Sequence, residues 1–157
     1  MIKIADLITP DRVACDVDVT SKKRGLEVLS DLVAASDPAL SAQTIFDKLI
    51  NREKLGSTGL GHGVALPHAR MDGNEAAAAA FIRTGDAIDF DAFDGEPVDL
   101  LFALVVPEHF TDEHLQILAR LAEMFSDASF CNRLRNAPDA QALFQLLTEW
   151  ESGAGQA

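Results

Sequence analysis

Apolar positions along this chain recur with two different periods. Over Ser21–Ala35, Leu26, Leu29, Leu32 and Val33 fall on one face at helical spacing, with Thr20 or Ser21 placed as the cap. A second helix is predicted from the cap Ser41 through Ile45, Phe46, Leu49 and Ile50 toward Leu55, where Gly56 supplies the stop. Val98–Val106 is instead an almost unbroken run rich in Val and Leu, the pattern of a strand buried on both faces beneath helices. Alanines within residues 76–83 suit either element, and Phe81 and Ile82 decide for a strand. Thr111 is placed to cap a third helix whose stripe is Leu115, Leu118, Leu121, Ala122 and Phe125. Shorter helices are expected near Ser129–Arg135 and Asp139–Glu149, with Ser152–Ala157 fraying. Helices interleaved with a few strands predict α/β layers.

Between the second helix and the alanine-rich strand lies Gly56-Ser-Thr-Gly-Leu-Gly-His-Gly-Val-Ala-Leu-Pro-His68-Ala-Arg70, which holds four of the ten glycines. It has the glycine density of a phosphate loop but lacks the Gly-Lys-Ser/Thr that opens a helix in a nucleotide site. Pro67 biases Leu66 toward an extended conformation, so this is a loop leading into a strand. Gly59, Gly61 and Gly63 can adopt positive φ and bring backbone N–H groups close to an anion; a tight helix-to-strand connection explains the same residues. Of the four histidines, His62, His68, His109 and His114, none stands in a His-Glu-x-x-His pattern, and the spacing does not suggest a metal. Imidazole is also a nucleophile that carries a lone pair at neutral pH. His68 is the strongest candidate because Pro67 stiffens it, the glycine loop precedes it and Arg70 follows.

Composition narrows the picture. The chain has 157 residues, 13 Lys+Arg against 25 Asp+Glu, and a formal net charge of -12, which disfavours nucleic acid. That length predicts one domain. No apolar run approaches the roughly 18 residues of a membrane span, and no signal-peptide layout opens the chain. Cys15 and Cys131 are too few for a disulfide scaffold and read as packing residues in a reducing cytoplasm. Asp86, Asp89, Asp91, Asp94, Glu96 and Asp99 fit a calcium loop poorly and read as a solvated turn. Lys22, Lys23 and Arg24 sit at the end of a helix that the dipole disfavours, so they are neutral there or serve a local use.

Taken together, Ser57-Thr-Gly-Leu-Gly-His-Gly-Val-Ala-Leu-Pro-His68-Ala-Arg70 resembles the active-site motif of the mannitol/fructose-type IIA domains of the bacterial phosphotransferase system. The resemblance extends to an Arg 16 positions before that histidine, Arg52, and to a second His 46 positions after it, His114. It runs from about Ile4 to Leu147. Ser21-Lys-Lys-Arg-Gly-Leu-Glu-Val-Leu-Ser and Phe130-Cys-Asn-Arg-Leu-Arg resemble the nitrogen-regulatory branch in particular. His62 is a departure, since relatives often carry Asn or another residue there. It is either an additional phosphate donor or a cap for the loop.

The resemblance implies a single α/β domain over residues 1–150, a mixed β-sheet flanked by helices, with a flexible tail at 151–157. It implies that His68 takes a phosphoryl group at Nε2 from an HPr-like carrier, with Arg52 and His114 as auxiliaries and without metal, nucleotide or other cofactor. Ser57, Thr58, Gly61, His62 and Arg70 are then the expected phosphate-binding residues, and Arg52, Arg70, His62, His68, His114 and the loop N–H groups are expected to make one locally positive pocket on an acidic protein. The regulatory branch implies partners such as potassium transport components or sensor kinases. A sugar-specific subunit that passes phosphate to a separate IIB, and a pure binding module without chemistry, are the competing functions.

Overall fold

The computed structural model describes residues 3–35, 39–71, 77–109 and 112–154, the last four as backbone only. A single helical turn, α1 (Ile4–Leu7), and a 3-10 turn at Pro10–Arg12 lead into strand β1 (Val13–Val17). Helices α2 (Lys22–Ala35) and α3 (Ala42–Glu53) follow. Three short strands, β2 (Gly59–Gly61), β3 (Val64–Ala65) and β4 (His68–Met71), precede two long ones, β5 (Ala78–Ile88) and β6 (Val98–Pro107). Helices α4 (Asp112–Ser126), α5 (Ala128–Arg135) and α6 (Ala140–Ala154) complete the fold.

The six strands make one mixed sheet in the order β1-β5-β6-β3-β2, with β4 also paired to β6. β1 runs parallel to β5, β6 antiparallel to β5, and both β3 and β4 parallel to β6. β3 occupies Leu100 and Leu101 of β6, and β4 occupies Leu104 to Pro107. Leu66 and Pro67 bridge the gap between them. Pro67 has no N–H to give, but its carbonyl accepts from Leu104 N at 2.9 Å, so the ladder continues through the proline.

Alternation along β6 divides the core into two layers. Leu100, Phe102, Leu104 and Val106 pack with α4, α5 and α6 residues such as Ile117, Leu121, Leu134 and Leu143. Leu101, Ala103 and Val105 pack with Leu26, Leu29 and Val33 of α2 and Ile45 and Leu49 of α3. Within the first layer Phe81, Phe102 and Phe125 form a ring cluster with centroids 5.8–6.4 Å apart. The strand expected to be buried on both faces is β6.

Several expectations need correction. α3 stops at Glu53, two residues short of Leu55. The face of α4 turned to the core is His114, Ile117, Leu121, Met124 and Phe125, so the expected stripe is rotated and Leu115 is exposed. His114 takes the inner face in place of Leu115, one helical position away, which the periodicity of apolar residues does not register. Thr111, the expected cap, lies outside the described residues. Ser21, not Thr20, caps α2: its Oγ accepts Arg24 N at 3.1 Å. Asp139 Oδ1 accepts Ala142 N at 2.9 Å, and the helix it opens runs to Ala154, beyond the expected Glu149; residues 155–157 of the expected tail lie outside the described residues. β1 and α1 carried no pattern long enough to predict.

Candidate functional site

His68 is the first residue of β4 and pairs in parallel with Leu104. Ala69 and Met71 of the same strand pack in the α2–α3 layer, so His68 and Arg70 alternate with them onto the α4 side. His114, buried in the first turn of α4, lies on that helix's inner face together with Ile117 and Leu121. The fold thus gives His68, Arg70 and His114 one side of the sheet, at the end where β6 finishes.

The orientation of His68 follows from one bond. Its Nδ1 lies 2.8 Å from the carbonyl oxygen of Leu66. A carbonyl can only accept, so Nδ1 carries the proton and Nε2 of the neutral ring carries the lone pair. Pro67 supports the arrangement by holding Leu66 extended two residues before the histidine.

Arg52 comes from a different element. It closes the last turn of α3, in the opposite layer, and one of its guanidinium N–H groups donates to Gly56 O at 2.9 Å. α3 packs against β4, the strand that carries His68.

The glycine-rich segment is held from within. Ser57 Oγ donates to Phe90 O at 2.9 Å and accepts Gly59 N at 3.1 Å. Thr58 donates through both its N–H, at 3.2 Å, and its hydroxyl to the carboxylate of Glu53. His62 adopts φ 56° and donates its N–H to Asp94 Oδ2 at 2.9 Å, while its carbonyl accepts from Arg135 Nη2 at 2.8 Å. The hydroxyls of Ser57 and Thr58 and the amide of His62 therefore already have partners within the protein. Gly61 has φ +89°, and a Cβ there would sit 3.2 Å from the ring of Phe93, so both backbone and space call for glycine.

These contacts revise the reading of the acidic stretch. Asp94 and Asp99 are fasteners for the glycine loop, beyond any role in solvation. The N–H of His62, and after it that of Glu96, hold the Asp94 carboxyl below its ordinary value. Asp99 grips Arg135 with both oxygens at 2.9 Å, and this hydrogen bonding holds the guanidinium above its ordinary value. Lys22, at the helix end the dipole disfavours, has a local use: its Nζ lies 3.0 Å from Glu53 Oε1, 3.8 Å from Asp91 and 4.7 Å above the Phe90 ring. Sequence reasoning missed Glu53, Asp94, Asp99 and Arg135: the last three act across long gaps in the chain, and Glu53 pairs with Lys22 from another helix. The one available signal was a carboxylate beside Arg52 at a helix end, where the dipole disfavours it.

Cys131 is buried with its Sγ 3.3 Å from Phe125 O, and burial pushes its thiol up; Cys15 packs at the edge of the same layer. Among the described residues no cluster of His, Cys, Asp and Glu is arranged to hold a metal, and no helix is long and apolar enough to cross a membrane. Among the described residues three large apolar side chains are notably exposed: Leu55 at 85%, Phe93 at 82% and Leu115 at 55%. Each adjoins a residue of the site: Gly56, Gly61 and His114 respectively.

Comparison with known proteins places this geometry. Residues 6–150 match the family described as phosphoenolpyruvate-dependent sugar phosphotransferase system, EIIA 2. A nitrogen regulatory protein of Pseudomonas aeruginosa is 47% identical over 153 residues, covering 98% of this chain and 99% of that one. One from Escherichia coli K12 is 41% identical over 150 residues, covering 95% and 89%. The crystal structure of the nitrogen regulatory protein IIA-Ntr from Neisseria meningitidis superposes with a TM-score of 0.86 at 44% identity, covering 92% of this chain and 99% of that one.

Proposed function

Because the chain belongs to the EIIA 2 family of the phosphoenolpyruvate-dependent sugar phosphotransferase system, in its nitrogen-regulatory branch, we propose that it is a cytoplasmic regulatory phosphocarrier whose His68 accepts a phosphoryl group from an HPr-like carrier protein. The bond between His68 Nδ1 and the Leu66 carbonyl carries the reading, because it leaves Nε2 as the only nucleophilic nitrogen. In the transfer the Nε2 lone pair attacks phosphorus in line. The Nε2–P bond forms as the carrier's N–P bond breaks, and that electron pair returns to the carrier's nitrogen. The ring gains positive charge while keeping its Nδ1 proton, and the Leu66 carbonyl dipole stabilises that charge.

Phosphoryl transfer asks a protein mainly for positioning and for charge on the equatorial oxygens. His114 and Arg70, on the same side of the sheet as His68, are the groups we assign to those oxygens. Arg52 joins them by exchanging Gly56 O for a phosphoryl oxygen or by using its remaining N–H donors, of which a guanidinium has five. Ser57, Thr58, Gly61 and His62 serve by shaping the loop: their hydroxyls, or in His62 its amide, are already engaged, and Gly61 contributes the turn. The exposed apolar side chains Leu55, Phe93 and Leu115 are of the kind that dock a protein partner.

A phosphoryl group adds about 1.5 to 2 negative charges at His68, and this change of charge is what selects between partners. The reading is tested by mixing the chain with an HPr-like carrier bearing labelled phosphate. His68→Ala is expected to take no label, whereas His114→Ala reaches wild-type stoichiometry at a reduced rate. Full labelling of His68→Ala refutes the assignment.

A further inference from the structure

The acceptor reading of His68, on which this inference rests, makes the Leu66 carbonyl decisive, and a continuous run of bonds leads back from it. Leu66 N donates to Thr58 O at 3.0 Å. Thr58 in turn gives both its N–H and its hydroxyl to Glu53, one to each carboxylate oxygen. Lys22 Nζ completes the set at 3.0 Å from Oε1. The Glu53 side chain is only 2% exposed, and Thr58 is buried with it.

We propose that the Lys22–Glu53 ion pair, whose carboxylate is buried, is the positioning device for the nucleophile. Glu53 fixes Thr58, Thr58 fixes the Leu66 peptide, and the Leu66 carbonyl holds His68 with Nε2 presented for attack. Glu53 and Lys22 are positioning residues, since neither touches the reacting atoms.

Three features support this assignment over a merely structural one. Burying the Glu53 carboxylate is a poor source of net stability, because its desolvation offsets the attraction of Lys22. Both oxygens of Glu53 are committed to groups that lead toward His68, and none is spent on solvent. The ion pair also joins the start of α2 to the end of α3, so the loop is anchored at a junction of two packed helices and not by its own flexible backbone. The reach is consequential because a misplacement of about 1 Å at a reacting atom can cost on the order of 10²-fold in rate.

The experiment pairs ¹⁵N NMR of the His68 imidazole with the rate of labelling from a phosphorylated HPr-like carrier, in wild type, Glu53→Ala, Glu53→Gln and Thr58→Val. Wild type is expected to show a single tautomer with the proton on Nδ1. Glu53→Ala is expected to show mixed tautomers and a labelling rate lower by roughly 10- to 100-fold. Glu53→Gln keeps a carbonyl oxygen for the Thr58 amide and restores most of both. Thr58→Val, which removes the hydroxyl alone, falls between and stands in should Glu53→Ala fail to fold. A wild-type tautomer and rate in folded Glu53→Ala, or in Thr58→Val where that is the folded variant, overturns the inference. Wild-type protein that takes no label overturns the acceptor reading instead, and the tautomer comparison still decides whether Glu53 acts on His68.

Discussion

Replacing Gly63 by alanine tests how the site loop is fastened. Gly63 has φ +83°, and a Cβ there would stand 2.5 Å from Arg135 Nη2 and 3.0 Å from Asp99 Oδ1. Two costs follow. Placing an L-residue in the left-handed region costs about 1–2 kcal/mol. The guanidinium must also withdraw from a position where it bonds both Asp99 oxygens at 2.9 Å and His62 O at 2.8 Å. A charge-assisted hydrogen bond is worth about 1.5–3 kcal/mol. This pair is about 30% exposed on the Arg135 side, so solvent screening reduces the loss to about 1–2 kcal/mol. Gly63→Ala is therefore expected to destabilise by about 2–4 kcal/mol. In an Arg135→Ala background the guanidinium is gone and Asp99 Oδ1, released from it, can turn away from the methyl, so that the backbone share of about 1–2 kcal/mol remains. Urea unfolding of wild type, both single variants and the double variant yields the coupling from midpoint shifts at constant slope. A coupling within about 0.3 kcal/mol of zero refutes the reasoning, because it means that Arg135 does not occupy the space the alanine needs.

Two further outcomes are expected. The Asp94 carboxyl is held low in the folded state, so its contribution is present above the unfolded value of about 4 and is lost as pH falls through the folded value. The stability gap between wild type and Asp94→Asn is therefore expected to narrow from pH 7 to pH 3 in urea titrations; a gap independent of pH contradicts this. Arg83 is buried and donates to the carbonyls of Leu134 at 2.9 Å and Ala137 at 2.7 Å and to Asp16 at 3.1 Å. Arg83→Met keeps the stem but strands these acceptors, with an expected loss of about 2–4 kcal/mol read by thermal denaturation; a loss below about 1 kcal/mol means that the end of α5 has other partners.

What was legible in the sequence was what local periodicity and local chemistry encode. α2 and α3 begin where Ser21 and Ser41 can accept an amide, and β6 is as apolar as a strand buried on both faces must be. His68 was conspicuous because Pro67 and the glycines around it are local features. The orientation of α4 was not legible, since a stripe built on Leu115 and one built on His114 differ by a single helical position, and hydrophobicity favours the wrong one. β1 was missed because five residues ending in an Asp at φ 52° and a valine offer no clean alternation. The acidic segment looked solvated because carboxylates usually are; their amide and guanidinium partners lie elsewhere in the chain.

That separation bears on how the motif is inherited and built. His62 O meets Arg135 across 73 positions, Ser57 meets Phe90 across 33, and His62 N meets Asp94 across 32. A peptide spanning Arg52 to Arg70 would contain every glycine and histidine of the motif but would lack Phe90, Asp94, Asp99 and Arg135, which fasten it from outside. The site is thus a product of completed folding and not a transplantable cassette. Grafting the motif onto another scaffold requires carrying the sheet and three helices along with it, and a folding intermediate that lacked α5 would hold the loop without its clasp.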